Sequence, residues 1–409
     1  MTIFLITAAA LSLGVWLYLL LCHGAFWRCD QRLDDDGAAA PVAWPDVVAV
    51  VPARNEEGVI GRSLGSLLAQ DYPGRFRVIL VDDHSEDATR TIATRIAAEA
   101  GTGERLTVTG ARPLPAGWTG KLWAVSEGVR QAAEGTPGPR YLLLTDADIH
   151  HDPGSLRRLV AKAEADRLDL VSLMVLLDHE GFWAGLLIPA FVFFFQKLYP
   201  FRWVNDHRNP MAAAAGGCIL VRREALEAAG GIAAIRGALI DDCTLAAAIQ
   251  ANPGTGETGR LWLGLTTRLH SLRPYTRFRE IWDMVARTAY TQLRHSPWLL
   301  AATLTAMVLV YLVAPLVVLA WPVDHVRLAG LLALATWALM ILAYRPTLRL
   351  YGKPTAAAVL LPVVGLLYSL MTVASAVRHW RGRGGQWKGR VHQSVLKGAA
   401  ASEAGGQAE

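Results

Sequence analysis

Four apolar runs of bilayer length constrain this chain more than any other feature. Residues 3–22, 298–321, 326–344 and 355–377 are each about 19–24 residues long and almost free of charge. A helix needs about 20 apolar residues to cross a bilayer, so all four read as membrane helices. No basic segment precedes the first run, and no small-residue cleavage site separates it from His23 and Arg28. A retained anchor over 1–22 is therefore expected, and not a removed signal. Composition agrees. Hydrophobic residues make up 53% of the chain and charged residues 18%, against about 45–50% and about 25% in soluble domains. This excludes a disordered chain and argues against a wholly soluble one. Fourteen tryptophans suit a membrane interface.

Charge sets the expected orientation. His23, Arg28 and Arg32 follow the first run and place what comes next in the cytosol. The loop 322–325 carries no Lys or Arg, whereas 345–353 holds Arg345, Arg349 and Lys353, and the tail holds Arg378, Arg381, Arg383, Lys388 and Arg390. Three full crossings from the cytosol would leave that basic tail outside. Either one run is re-entrant or interfacial, with Pro315 and Pro362 as interruptions, or the charge rule fails once; the former is expected. The stretch 181–200 is apolar but lies inside a polar region, and it reads as a membrane-contacting helix. The net charge of +5, with no Lys/Arg stripe, favours a membrane surface or an anionic substrate over nucleic acid. Cys22, Cys29, Cys218 and Cys243 form no C-x-x-C, so a reduced, cytosol-facing protein is expected. Asp34, Asp35 and Asp36 read as a solvated linker.

Between the anchor and the terminal runs the patterning changes. Runs at 47–51, 77–81, 141–145 and 168–177 read as strands, and 57–68, 88–100 and 155–165 as helices. This βαβα succession implies an α/β fold with a mostly parallel sheet. Ligands then bind beyond the carboxyl ends of the strands. Pro52-Ala53-Arg54-Asn55-Glu56-Glu57 follows the first strand. Asp82-Asp83-His84-Ser85-Glu86-Asp87 follows the second, and Asp146-Ala147-Asp148 the third. Ser85 and Asp87 are plausible helix caps, but capping does not require three acidic clusters on one edge. Carboxylates suit a hard divalent cation, and such a cation neutralises phosphate oxygens.

These motifs, in this order, resemble the family 2 glycosyltransferases of the GT-A fold. Ala215-Gly216-Gly217-Cys218, with the strand and helix after it, and Ile240-Asp241-Asp242-Cys243-Thr244-Leu245 extend the resemblance over roughly 45–296. Asp241 stands where the family's E-D motif has Glu. Gly117–Ala124 (GWTGKLWA), the Arg-Pro-Tyr at 273–275 and the tail Gln386-Trp387-Lys388-Gly389-Arg390 are similar to lipid glycosyltransferases. That group includes ceramide glucosyltransferase, carotenoid glycosyltransferases and the bacterial hopanoid-biosynthesis-associated glycosyltransferases. The family's Q-x-x-R-W signature is not intact; the nearest stretch is Tyr290-Thr291-Gln292-Leu293-Arg294.

The resemblance implies a layout and roles. The layout is an anchor at 1–22, a linker at 23–44, a GT-A domain at 45–275, an interfacial helix at 276–297, a transmembrane region at 298–377 and a basic, then flexible, cytosolic tail at 378–409. The activity implied is inverting transfer from a nucleotide-sugar, a UDP-sugar, to a hydroxyl of a membrane lipid, a hopanoid or a relative. Asp242 would be the base. Pro52, Arg54, Glu56, Asp82, Asp83, Lys121 and Asp146 would bind the donor. Asp148, with Asp146, would hold Mg2+ or Mn2+. Gly216, Gly217, Asp241, Arg287, Arg294 and Trp387 would form the acceptor or closing segment. The aromatic residues at 191–195 would line the acceptor's path. His150 and His151 are expected in an exposed loop, and His270 is a remote candidate ligand. Two rival readings are a processive polysaccharide synthase, disfavoured by the broken signature, and a non-catalytic membrane scaffold for lipid synthesis.

Overall fold

The computed structural model describes residues 2–34, 40–99, 105–134, 138–252 and 259–381, with the backbone of 386–387 and 390–391. Eight strands form one sheet: β1 (Val47–Ala53), β2 (Phe76–Asp82), β3 (Leu106–Gly110), β4 (Tyr141–Thr145), β5 (Ile149–His151), β6 (Leu170–Leu176), β7 (Cys218–Arg222) and β8 (Leu261–Ser271). Their order is β3-β2-β1-β4-β7-β6-β8-β5. The pairings make six strands run one way, with β7 and β5 opposed. The expected mostly parallel α/β sheet is present. One neighbour differs from the βαβα reading: β6 does not follow β4 but is separated from it by the antiparallel β7.

Alternation along the strands assigns the two faces. Val47, Ala49 and Val51 pack with Ile60, Leu64 and Leu67 of the Ile60–Leu68 helix and with Leu156 and Leu159 of Ser155–Ala165. Val48 and Val50 pack with Leu122, Ala124 and Val125 of the Gly120–Ala133 helix. Buried on both faces, β1 is apolar at nearly every position, as a central parallel strand must be. Gly128 lets that helix approach β1: a Cβ there would collide with Val50 Cγ1.

The second face also carries a layer of apolar helices. Among the described residues, five segments are long and apolar enough to cross a membrane: Thr2–Leu21, Gly181–Leu198, Pro297–Val323, Arg327–Leu350 and Thr355–Trp380. The Pro297–Val323 segment passes through a π-helical turn at Val308–Leu312. Ser12 Oγ donates to the Leu309 carbonyl at 2.8 Å and Trp16 Nε1 to the Val310 carbonyl at 2.7 Å, tying the N-terminal helix to that turn. The Arg327–Leu350 helix continues through Pro346. The expected loop over 345–353 therefore starts only after Leu350, because Ala343, Tyr344, Thr347 and Leu348 are buried and packing overrides propensity.

The Gly181–Leu198 helix lies beside the amphipathic Phe278–Gln292 helix. Trp183 and Phe278 meet at one end with ring centroids 4.7 Å apart, and Gln292 Nε2 donates to Tyr199 Oη at 2.6 Å at the other. The chain on either side of the 355–377 run returns to this region: Tyr351, capping the Arg327–Leu350 helix, packs on His179 just before Gly181–Leu198 with ring centroids 5.1 Å apart, and Arg378 pairs with Asp283 of Phe278–Gln292. One sequence expectation is corrected. Asp34 is not solvated: it accepts from the Thr267 amide at 2.7 Å, while Leu33 N donates to the Leu265 carbonyl at 3.0 Å and fastens this segment to β8. Asp35 and Asp36 lie outside the described residues.

Candidate active site

The strand ends deliver carboxylates to one edge, and helix starts bring further groups to meet them. Lys121 is the second residue of Gly120–Ala133, whose N-cap Thr119 accepts from the Leu122 amide. Its Nζ stands 2.9 Å from Asp146 Oδ1 and 3.1 Å from Asp241 Oδ2. Burial opposes the ammonium, but these two carboxylates outweigh it and hold Lys121 above the ordinary lysine range. A second cation closes the neighbouring cluster. Arg273, just past β8, places Nε 3.1 Å from Asp148 Oδ2 and Nη2 2.8 Å from Glu56 Oε1. Ser271 Oγ also donates to Asp148 at 3.2 Å.

Asp242 is held differently. Its Oδ2 accepts from the Gly216 amide at 2.9 Å and its Oδ1 from the Cys243 amide at 2.7 Å. Among the described residues, no cation forms an ion pair with it. Burial, and then the adjacent Asp241 charge, push its pKa up to about 6. The segment before β7 fits tightly, since a Cβ on Gly217 would stand 3.0 Å from Val175.

All of these groups line one cavity of about 1750 Å³, whose wall continues along Phe191, Phe194, Phe195, Tyr199, Met307, Val310 and Tyr368 of the helical layer. Single-ligand pockets are about 300–1,000 Å³, so there is room for two substrates.

Residues 48–230 match the sequence family described as Glycosyl transferase family 2. The chain carries a family 2 glycosyltransferase domain. The chain is similar to the beta-monoglucosyldiacylglycerol synthase of Synechocystis sp., 44% identical over 61 residues, 15% of this chain and 13% of that protein. It is also similar to the dodecaprenyl-phosphate galacturonate synthase of Rhizobium johnstonii, 31% identical over 137 residues, 33% of this chain and 37% of that one. Such matches span well under half of the curated relatives' lengths. Over nearly the whole chain, the fold resembles the mannosyltransferase PcManGT from Pyrobaculum calidifontis, in complex with GDP-Man and Mn2+. That match has a TM-score of 0.53 at 20% identity and covers 92% of this chain and 99% of the other.

The cavity wall gathers Pro52, Glu56, Lys121, Asp146, Asp148, Gly216 and Gly217 from the matched residues, and Asp241, Asp242 and Arg287 from beyond them. It does not gather Arg54, Asp82 or Asp83. Arg54 turns its guanidinium onto the carbonyls of Asp83 and His84, bracing the loop after β2. Asp82 and Asp83 are 4% and 1% exposed, behind the wall. Arg294 takes a left-handed turn, φ 51°, after the Phe278–Gln292 helix and is not part of the wall. Trp387 pairs with Arg390 in a two-residue antiparallel ladder, and its side chain lies outside the described residues.

The histidines correct a further expectation. His150 and His151 are not in an exposed loop but form β5 against β8. His151 is buried, shares a hydrogen bond of 3.0 Å with Thr145, and is driven down to about 3 by that burial. His270 packs on His150 with ring centroids 4.6 Å apart.

Arg273 is the residue that sequence reasoning passed over as a site member. The available signal was its place just after a strand, the place that also yields Glu56, Asp146 and Asp148.

Among the described residues, no group of three or more His, Cys, Asp and Glu stands together as a metal cage. The donor set nonetheless fits a phosphate-bridged divalent cation, which takes one or two carboxylates from protein and the rest from phosphate and water. Five carboxylates, Glu56, Asp146, Asp148, Asp241 and Asp242, face two cations at this edge, leaving three formal negative charges in excess.

Proposed function

We propose that the protein transfers a sugar from a nucleotide-sugar, a UDP-sugar, to a hydroxyl of a membrane lipid, a hopanoid or a related alcohol, with inversion at the anomeric carbon. The observation that carries this reading is the single cavity running from the carboxylates to the apolar helices. A polar donor at one end and an apolar acceptor at the other require such a space.

Asp242 acts as general base. Its carboxylate takes the acceptor's hydroxyl proton as that oxygen bonds to the anomeric carbon and the bond to the nucleoside diphosphate breaks. The Gly216 and Cys243 amides fix its orientation, and a pKa of about 6 suits a base working near neutrality. Mg2+ or Mn2+, held by Asp148 with Asp146, would supply charge neutralisation for the leaving diphosphate. Lys121 stays protonated beside Asp146 and adds a fixed positive charge. Pro52 and Glu56 border the donor's end of the cavity, while Arg54, Asp82 and Asp83 shape the loops behind it. Gly216, Gly217, Asp241 and Arg287 border the acceptor.

The membrane arrangement follows from the same reading. The protein sits in the cytoplasmic membrane with the sheet in the cytosol. Thr2–Leu21, Pro297–Val323 and Arg327–Leu350 cross it. The Gly181–Leu198 and Phe278–Gln292 helices lie along its surface. The 355–380 segment enters and returns on the same side, which keeps the basic tail cytosolic. Tyr351 just before that segment and Arg378 near its end contact His179 and Asp283, which adjoin or belong to these surface helices, and this supports the reading.

Mass spectrometry of total lipids tests the reading. Cells with the intact gene are compared with cells lacking it and with cells carrying Asp242→Asn. One glycosylated lipid lost in both defective strains is the expected result. An unchanged lipid profile, with donor and acceptor present, would overturn it.

A further inference from the structure

A cation at the apolar end of the cavity has no carboxylate opposite it. Lys197 sits in the last turn of the Gly181–Leu198 helix and lines the cavity. Its Nζ donates to Tyr311 Oη at 2.7 Å and stands 4.6 Å from the Tyr311 ring centroid and 5.4 Å from that of Phe194. Among the described residues, no Asp or Glu forms an ion pair with it. Lys121 and Arg273, at the other end, each face two carboxylates.

An ammonium in an apolar wall is costly unless paired, and ring faces compensate only in part. The Tyr311 hydroxyl accepts from Lys197, and no described acceptor takes its own proton. Tyr311 is fully buried and stands behind the cavity wall, so its hydroxyl positions the ammonium and Lys197 alone is presented to a third group.

The position is firmly built. Tyr311 lies in the Val308–Leu312 π-turn, a feature frequent at functional sites. Ser12 and Trp16 secure that turn. His23 Nε2 donates to the Lys197 carbonyl at 2.8 Å and fixes the end of the helix.

We infer that Lys197, positioned by Tyr311, forms a subsite for the phosphate or carboxylate of an anionic lipid lying in the cavity. This rests on the reading above, that the cavity admits a lipid. Two sources supply such a group: an anionic substituent carried by the acceptor away from its reacting hydroxyl, or a bilayer phospholipid bound beside it.

Native mass spectrometry of the full-length protein, titrated in parallel with phosphatidylglycerol and diacylglycerol, tests the inference. The wild type should bind the anionic lipid about tenfold more tightly, as expected for one charge-assisted contact. Lys197→Met should erase that preference while diacylglycerol binding stays unchanged, which also reports that the variant is folded. Lys197→Arg should keep it. A preference that survives in Lys197→Met, or is missing from the wild type, overturns the subsite while lipid transfer continues. Absence of both lipid binding and transfer in the wild type instead overturns the acceptor reading itself. The two sources separate in a transfer assay on total lipid extract. Competitive inhibition by phosphatidylglycerol assigns the subsite to the acceptor, and higher turnover assigns it to a co-bound phospholipid.

Discussion

The two ends of the cavity handle charge in opposite ways. At the sheet edge, each cation is clamped between two carboxylates and negative groups remain in excess. At the helical end, one lysine faces aromatic rings and a hydroxyl. The first end is built to receive positive charge and phosphate together. The second is built to receive apolar chain and, at one point, an anion. Asp242 belongs to the first end but is held by backbone amides and not by a cation, which leaves its carboxylate basic.

Asp242→Asn should break this contrast most severely. Turnover should fall by about 10²–10⁴-fold, the usual contribution of a positioned base, with donor affinity measured by calorimetry nearly unchanged. Undiminished turnover would move the base elsewhere. Lys121→Met leaves Asp146 and Asp241 facing each other without their shared cation. Breaking this half-buried cluster should lower unfolding stability by about 1–2 kcal/mol, less than for a fully buried pair because water reaches it, read from denaturant unfolding of the purified protein. An unchanged midpoint would mean that the clamp is not structural.

The pH dependence sharpens the assignment of Asp242. A base must be deprotonated, so kcat/KM should rise with pH to about 6 and then level off, and the Asp242→Asn variant should lack that limb. Stability should move the other way. The folded pKa of about 6 lies above the ordinary 3.8, so this group's contribution is present below about 4 and is lost as pH rises through about 6. The smallest effect should come from Arg273→Ala. The Arg273 side chain is 41% exposed, so its pairing is worth only about 0.2–1 kcal/mol. Removing it frees Asp148 and should tighten Mn2+ binding by up to about fivefold. Weaker Mn2+ binding would show that Arg273 organises the site and does not compete for it.

Much of this was readable without coordinates. β1, β2 and β4 are near-continuous apolar runs, and their ends carry the acidic motifs, so both the sheet and its reactive edge follow from local pattern. β3, β5 and β8 were not named. β5 has three residues, and β8 mixes Thr, Arg and His into its second half, so neither has a periodicity that separates it from a loop. For the same reason Arg273 went unassigned, although it follows β8 directly. Arg54 shows the opposite failure. Its motif position nominates it for the donor, yet its guanidinium is consumed by the carbonyls of Asp83 and His84, and nothing in the sequence says which way a long side chain turns.

The sequence by itself determined the apolar helices, the α/β sheet and the identity of the acidic clusters. Bilayer-length hydrophobic runs and strand periodicity are local properties that survive without context. Only the tertiary structure decided which charges neutralise which, that Asp242 alone among the five carboxylates is held by amides instead of a cation, and that Lys197 shares a cavity wall with it. Those facts depend on contacts between residues tens to hundreds of positions apart, and their energies exist only once water has been excluded from between them.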